Sequence, residues 1–172
     1  MRTIILGAAA AGLLAACSGD TAKEAKKEAK AEALQPGEYE VTDKVDEVRS
    51  TDNTTPATSM KVAAAGESIP TSRMCVGADG AIDPKIFAEA GDKCAPTGSY
   101  LKGGRLSYQI NCTREGKGGL SQLVDGKFTA DSFEATVSTS TYFGGDGDYA
   151  LTRTMTGKRV GNCPAAPAPD AA

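Results

Sequence analysis

Cys94-Ala95-Pro96-Thr97-Gly98-Ser99-Tyr100-Leu101-Lys102-Gly103-Gly104-Arg105-Leu106-Ser107-Tyr108-Gln109-Ile110-Asn111-Cys112 is the stretch whose reading decides the fold. Two runs that suit extended backbone flank Lys102-Gly103-Gly104, a hairpin loop signal. With Gly103 at the centre of the loop, Cys94 falls opposite Cys112, Gly98 opposite Tyr108 and Tyr100 opposite Leu106. Cys94, Tyr100, Leu106, Tyr108, Ile110 and Cys112 then share one face, and Arg105, Ser107, Gln109 and Asn111 the other. Register and apolar pattern agree, so the hairpin predicts a Cys94–Cys112 bridge between neighbouring strands. A one-residue shift of the turn would flip one strand's face.

The pattern continues on both sides. Tyr39, Val41 and Val45 alternate with Glu40, Thr42, Lys44 and Asp46, the period of a half-buried strand. Further strands are expected over 60–65 and 73–76, the latter carrying Cys75. Asp83-Pro84 followed by Lys85 to Gly91 is the one helical signal of the domain. Asp83 suits a cap, Pro84 the first helical position and Gly91 the end, for about two turns. Beyond the hairpin, residues 120–124 and Lys127-Phe128 surround Asp125-Gly126, read as a second tight turn. In 132–142, Phe133, Ala135 and Val137 fall on one face and Glu134, Thr136 and Ser138 on the other. Gly144-Gly145-Asp146-Gly147-Asp148 is a third turn. In the last strand Thr152, Thr154 and Thr156 lie on one side, Leu151, Arg153 and Met155 on the other. The expected fold is mainly β: an antiparallel meander of about seven strands forming a curved sheet or partial barrel, with one short helix and two disulfides.

The start of the chain carries an address. Met1-Arg2 precedes a short apolar run that ends in Leu14-Ala15-Ala16-Cys17. The run is too short to span a bilayer and reads as a secretory leader. Its ending resembles the bacterial lipoprotein signal, in which Cys17 becomes the first residue and carries the acyl chains, palmitate among them. Each buried CH₂ contributes roughly 0.8 kcal/mol, so two or three chains would hold the protein at the membrane. Ser18 in place of Asp favours the outer membrane, facing the periplasm. Residues 21–33 are Ala, Lys and Glu after Thr21, with no apolar stripe, and read as a spacer. The expected organisation is a leader over 1–16, lipidated Cys17 and spacer over 17–34, a disulfide-braced domain over 35–163, and a Pro/Ala tail over 164–172.

Composition narrows the function. The chain has no His, which removes imidazole bases and histidine metal ligands. The formal charge is −3, and losing Arg2 with the leader makes the mature chain −4. Without a basic cluster, nucleic acid is not an expected partner. Five cysteines include Cys17, which leaves Cys75, Cys94, Cys112 and Cys163. Four cysteines allow three pairings by count alone. The hairpin register selects Cys94–Cys112, and subtraction leaves Cys75 with Cys163. No C-x-x-C is present, against zinc knuckles and thioredoxin-type chemistry. No Gly-x-Ser-x-Gly elbow stands out as a nucleophile site.

Three further features have a plain structural reading beside a functional one. The 144–148 stretch lacks the spacing of a calcium loop and reads as a hairpin turn. Lys158 and Arg159, with Arg153 upstream, would make a small basic face for an anionic envelope component, or serve solubility. Tyr39, Tyr100, Tyr108, Tyr142 and Tyr149 would line a ligand cavity inside a curved sheet, or simply pack it.

The order of these features is familiar. A lipoprotein leader, Pro36-Gly37-Glu38-Tyr39-Glu40, Cys75, Cys94, Cys112, Thr129-Ala130-Asp131-Ser132-Phe133 and the closing Gly157-Lys158-Arg159-Val160-Gly161-Asn162-Cys163 resemble domain-of-unknown-function family 3617. Its members are small exported bacterial proteins that often carry a lipidated Cys. The likeness covers residues 34–163, and Val76-Gly77-Ala78 departs from the family pattern after the first domain cysteine. The resemblance implies an address and a fold, with no catalytic residue to carry over. The expectation is therefore a non-catalytic, lipid-anchored periplasmic protein without a cofactor, binding an envelope protein or serving a structural role. An inhibitor of a cell-wall enzyme such as lysozyme and a carrier of a small hydrophobic ligand are the alternatives.

Overall fold

The computed structural model describes residues 32–60 and 68–164. The leader, Cys17, all but the end of the spacer, the tail beyond Pro164 and residues 61–65 of the expected second strand lie outside them. Seven strands follow in order: β1 (Gly37–Ser50), β2 (Ser68–Val76), β3 (Asp92–Lys102), β4 (Arg105–Arg114), β5 (Gly118–Phe128), β6 (Ser132–Tyr142) and β7 (Tyr149–Gly161). They form one antiparallel sheet in the order β2-β1-β7-β6-β5-β4-β3, curled into a half-barrel. β3 to β7 are a simple meander. The first strand then inserts between β7 and β2, joining the chain's beginning to its end.

Alternation along each strand gives the sheet a dry concave face and a polar convex one. One concave row runs Leu106, Gly126, Ala135, Met155, and the next Tyr108, Val124, Val137, Arg153, Val45. On β6, Phe133, Ala135 and Val137 are buried and Glu134, Thr136 and Ser138 exposed, as the period predicts.

Three local expectations are corrected. In the opening hairpin Cys94 pairs with Cys112 as predicted, but a bulge between Pro96 and Gly98 shifts the register, so Ser99 faces Tyr108 and Leu101 faces Leu106. The loop is the two residues Gly103-Gly104, with φ of 60° and 75°, the double positive φ that a type I′ turn requires. The turn is thus displaced from Gly103, and the bulge restores the cysteine register. The displacement puts Tyr100 outside, at 54% exposure. Second, Asp125-Gly126 is no turn, since β5 runs straight through it. Gly126 is required because a Cβ there would lie 2.2 Å from the Glu134 carbonyl oxygen; two backbones approach closely. Third, the helix shrinks to one 3-10 turn, Pro84–Phe87. Asp83 caps it through Lys85 N (3.0 Å), but Ala88 is already extended.

β2 and β3 are the two opposite edges of the sheet, so residues 77–91 cross its whole width. Six strand spacings of about 4.8 Å amount to roughly 29 Å, which a mostly extended segment of that length spans with ease. The crossing segment lies over the concave face and buries Ile82, Phe87 and Glu89 there.

Candidate functional site

The crossing segment carries the densest polar chemistry of the domain. The Glu89 side chain is fully buried. Its Oε1 accepts from Tyr149 Oη at 2.5 Å, and its Oε2 accepts from Thr58 Oγ1 (2.8 Å) and Ser59 N (3.1 Å). Arg114 Nη2 lies 3.3 Å from the same oxygen. Arg114 also donates to both oxygens of Asp92, at 2.6 and 2.8 Å, and to the Ala57 carbonyl at 2.5 Å. Its guanidinium covers the rings of Phe143 and Tyr149. The hydrogen bond from Arg114 to Asp92 holds the guanidinium above its ordinary pKa, against the cost of burial. Burial, reinforced by the bond to Glu89, pushes the Tyr149 phenol well up.

A second cluster sits deeper. Arg153, on β7, is 1% exposed. It pairs with Asp43 of β1 and donates to the carbonyl of Phe87. Gln122 of β5 donates to the same carbonyl (3.0 Å) and to Thr139 (3.2 Å). From β4, Tyr108 Oη donates to the Ile82 carbonyl at 3.2 Å. Three strands thus hold the crossing segment by its backbone. Burial pushes the Asp43 carboxyl up although Arg153 pulls it down. Asp43 Oδ1 and Arg153 Nε are buried without a partner.

Apart from Asp43 Oδ1 and Arg153 Nε, these groups are occupied with one another. Both Glu89 oxygens are taken, and Arg114 is committed to Glu89, Asp92 and Ala57 at once. The arrangement fastens the crossing segment and the 51–60 loop rather than presenting a reactive group. The concave face is filled by Tyr39, Phe87, Ile110, Val124, Tyr149 and their neighbours.

The ends of the half-barrel differ. At one end the chain enters through Leu34 and Gln35. Gln35 N donates to the Ala130 carbonyl (2.7 Å), and Tyr39 Oη to the carbonyls of Gln35 and Ala130 (2.9 and 3.2 Å). A surface groove of about 730 Å³ opens there, lined in part by Glu40, Lys127, Asp131, Glu134 and Lys158. At the far end lie the loops around Asp52, Glu115 and Asp146. Asp52 Oδ2 accepts from Gly147 N (3.0 Å) and Asp148 N (2.8 Å). Asp148 accepts from Phe143 N (2.5 Å), Gly145 N (2.8 Å) and Thr141 Oγ1 (3.0 Å). These bonds hold both carboxyls below their ordinary pKa, Asp52 chiefly through Thr54 Oγ1 and Asp148 through Phe143 N. In the Gly-rich turn Asp148 therefore serves the turn's own amides, while Asp146 accepts from Lys117 Nζ at 2.6 Å. Among the described residues no group of three or more His, Cys, Asp or Glu is placed to hold a metal.

The structure sorts the residues singled out in the sequence. Cys94 and Cys112 are bonded. Cys75, exposed, and Cys163, half-buried, stand as thiols and form a near pair. Tyr39, Tyr108 and Tyr149 are core residues, whereas Tyr100 and Tyr142 face outward. The basic face does not form: Arg153 points into the core, Lys158 is exposed on the convex side, and Arg159 donates to the Pro36 carbonyl (2.9 Å). Glu89, Asp92 and Arg114 were missed. Only tertiary neighbours distinguish them from ordinary surface charges.

No curated protein and no solved structure matches the chain. A family model does, over residues 34–163, the span from the buried Leu34 to Cys163. The chain belongs to the family described as protein of unknown function (DUF3617).

Proposed function

We propose that the protein is a non-catalytic binding module, tethered by lipid on Cys17 to the periplasmic side of the outer membrane. The observation that carries the binding half of this reading is the opposition of the two ends. The tether would enter at Leu34 and Gln35, and the self-bonded loops around Asp52, Asp146 and Asp148 lie at the other end, directed away from the bilayer. Loops prearranged by their own hydrogen bonds lose little conformational freedom on meeting a partner. The filled concave face gives a hydrophobic carrier less support, since such sites are cavities of a few hundred Å³ or more.

Photo-crosslinking in intact cells tests the proposal. A photoreactive residue at Asp146 is expected to give a discrete protein adduct, and one at Lys158 none. An adduct at Lys158 alone, or at neither site, refutes the far-end reading. For the tether, wild type is expected to take up labelled fatty acid and Cys17→Ala to leave the membrane fraction.

The far-end loops, which carry Glu115 and Asp146 beside Lys93 and Lys117, favour one second reading, an inhibitor that lays them against a cell-wall hydrolase. Unchanged turnover of several lysozyme types in the presence of the domain would remove it.

A further inference from the structure

We propose that Cys75 and Cys163 close as a second disulfide, a buckle across the end at which the chain enters the domain. The backbone brings the two together. Glu38 of β1 pairs with Cys75 of β2 on one side and with Gly161 of β7 on the other. Cys75 and Gly161 are therefore two strand spacings apart, about 10 Å, with β1 between them. Two further residues carry the chain back across β1, which lets Cys163 reach the edge strand. Cys163 Sγ lies 4.0 Å from the carbonyl of Val76, the residue next to Cys75, and the two cysteines are a near pair. Cys75 lies on the exposed face of an edge strand, open to an oxidant.

The bond would close a loop of roughly 90 residues, where a cross-link removes much chain entropy from the unfolded state. It would also trap the first residues of β1, the strand that takes any pull from the tether, beneath a covalent strap. The hydrogen bond to Cys163, with some desolvation, pushes the Cys75 thiol up to about 11. Cys75 thus rests protonated near neutral pH, and its thiolate fraction is what enters exchange.

The chemistry is thiol–disulfide exchange with a disulfide oxidant. One thiol loses its proton and attacks a sulfur of the oxidant, releasing one thiolate. The other thiol then displaces the second, so two electrons and two protons leave the pair and the oxidant becomes two thiols. The proposal rests on the reading of the chain as exported, because an oxidising compartment supplies that oxidant.

The test equilibrates the purified full chain with mixtures of oxidised and reduced glutathione, quenches, alkylates free thiols and maps peptides without reduction. The expected product links Cys75 to Cys163 beside Cys94–Cys112. Finding Cys75 and Cys163 alkylated, or each capped by glutathione, at a poise that oxidises Cys94–Cys112 overturns the proposal, as does a link to Cys17. A second measurement compares oxidised Cys75→Ser, Cys163→Ser and the double variant. Each is expected to lower Tm by about 10 °C, and the double variant by no more than either single one. Single variants that melt with wild type, or losses that add, count against the bond. Both measurements use an added oxidant, so a failure of export or lipidation is detected separately, by the label on Cys17.

Discussion

Glu89 ties together three separate parts of the domain. Its carboxylate joins Tyr149 of β7, Thr58 and Ser59 of the β1–β2 connection, and Arg114 of β4. Glu89→Ala removes the acceptor and leaves a buried phenol and amide unpaired. A loss of about 3 kcal/mol or more is expected, read as a lower urea midpoint at unchanged m. The titrating groups give two pH limbs. Tyr39, Tyr108 and Tyr149 have pKa values raised above the ordinary 10.0, chiefly by burial. The unfolded phenols ionise first, so their contribution is complete below pH 10 and is lost as pH rises further. Tyr149→Phe is expected to flatten that limb in a stability–pH series. Asp52 and Asp148 have lowered pKa values, so their contribution is present above the usual carboxylate range and is lost as pH falls through and below it. Asp43, raised by burial, acts in the opposite sense. Asp52→Asn is expected to lessen the acid-side loss; an unchanged acid limb would show that other carboxylates control it.

At the scale of elements, two glycines that look alike in sequence have unlike reasons. Gly103 sits in a positive-φ turn with no atom within 4 Å of where its Cβ would be. Gly103→Asn is expected to be tolerated within about 0.5 kcal/mol, since Asn accepts that conformation. Gly126 lies mid-strand against the Glu134 backbone. Gly126→Ala is expected to cost about 2 kcal/mol or more, because backbone rather than a flexible side chain must move. Denaturant melts of the two variants separate a turn glycine from a close-approach glycine. Phe87 anchors the crossing segment at 0% exposure. Phe87→Ala is expected to cost about 3–5 kcal/mol.

At the scale of the molecule, the half-barrel leaves two edges, β2 and β3, each with a proline, Pro70 and Pro96. Proline and the bulge beside Pro96 discourage strand addition by another chain. Amide hydrogen exchange is expected to be slowest in β6 and β7, which are paired on both sides, and fastest in β2 and the outer half of β3. Uniform protection across the sheet would contradict that gradient. The same topology explains why no cavity is needed to close the core: the connection between the two edges crosses the concave face and fills it.

Much of this was legible from local pattern. Alternation assigned the faces of β6 and β7 correctly, and it placed Arg153 with Leu151 and Met155 before charge suggested a basic surface. The period proved a better guide than the residue type, because the backbone fixes direction whereas burial of a charge needs a partner. That partner, Asp43, lies 110 residues away. The turn dipeptides were less informative. Gly-Gly marked a true hairpin, while Asp-Gly marked a point where strands approach closely, and sequence does not separate the two. By itself the sequence determined a mainly β fold, the Cys94–Cys112 pairing and the strands of the meander, since each depends on residues near one another in the chain. Only the tertiary structure decided the place of β1 between β2 and β7, the crossing segment that fills the concave face, and the burial of Glu89, Arg114 and Arg153. Those outcomes depend on which distant backbone and charge lie across the sheet, and no local periodicity carries that information.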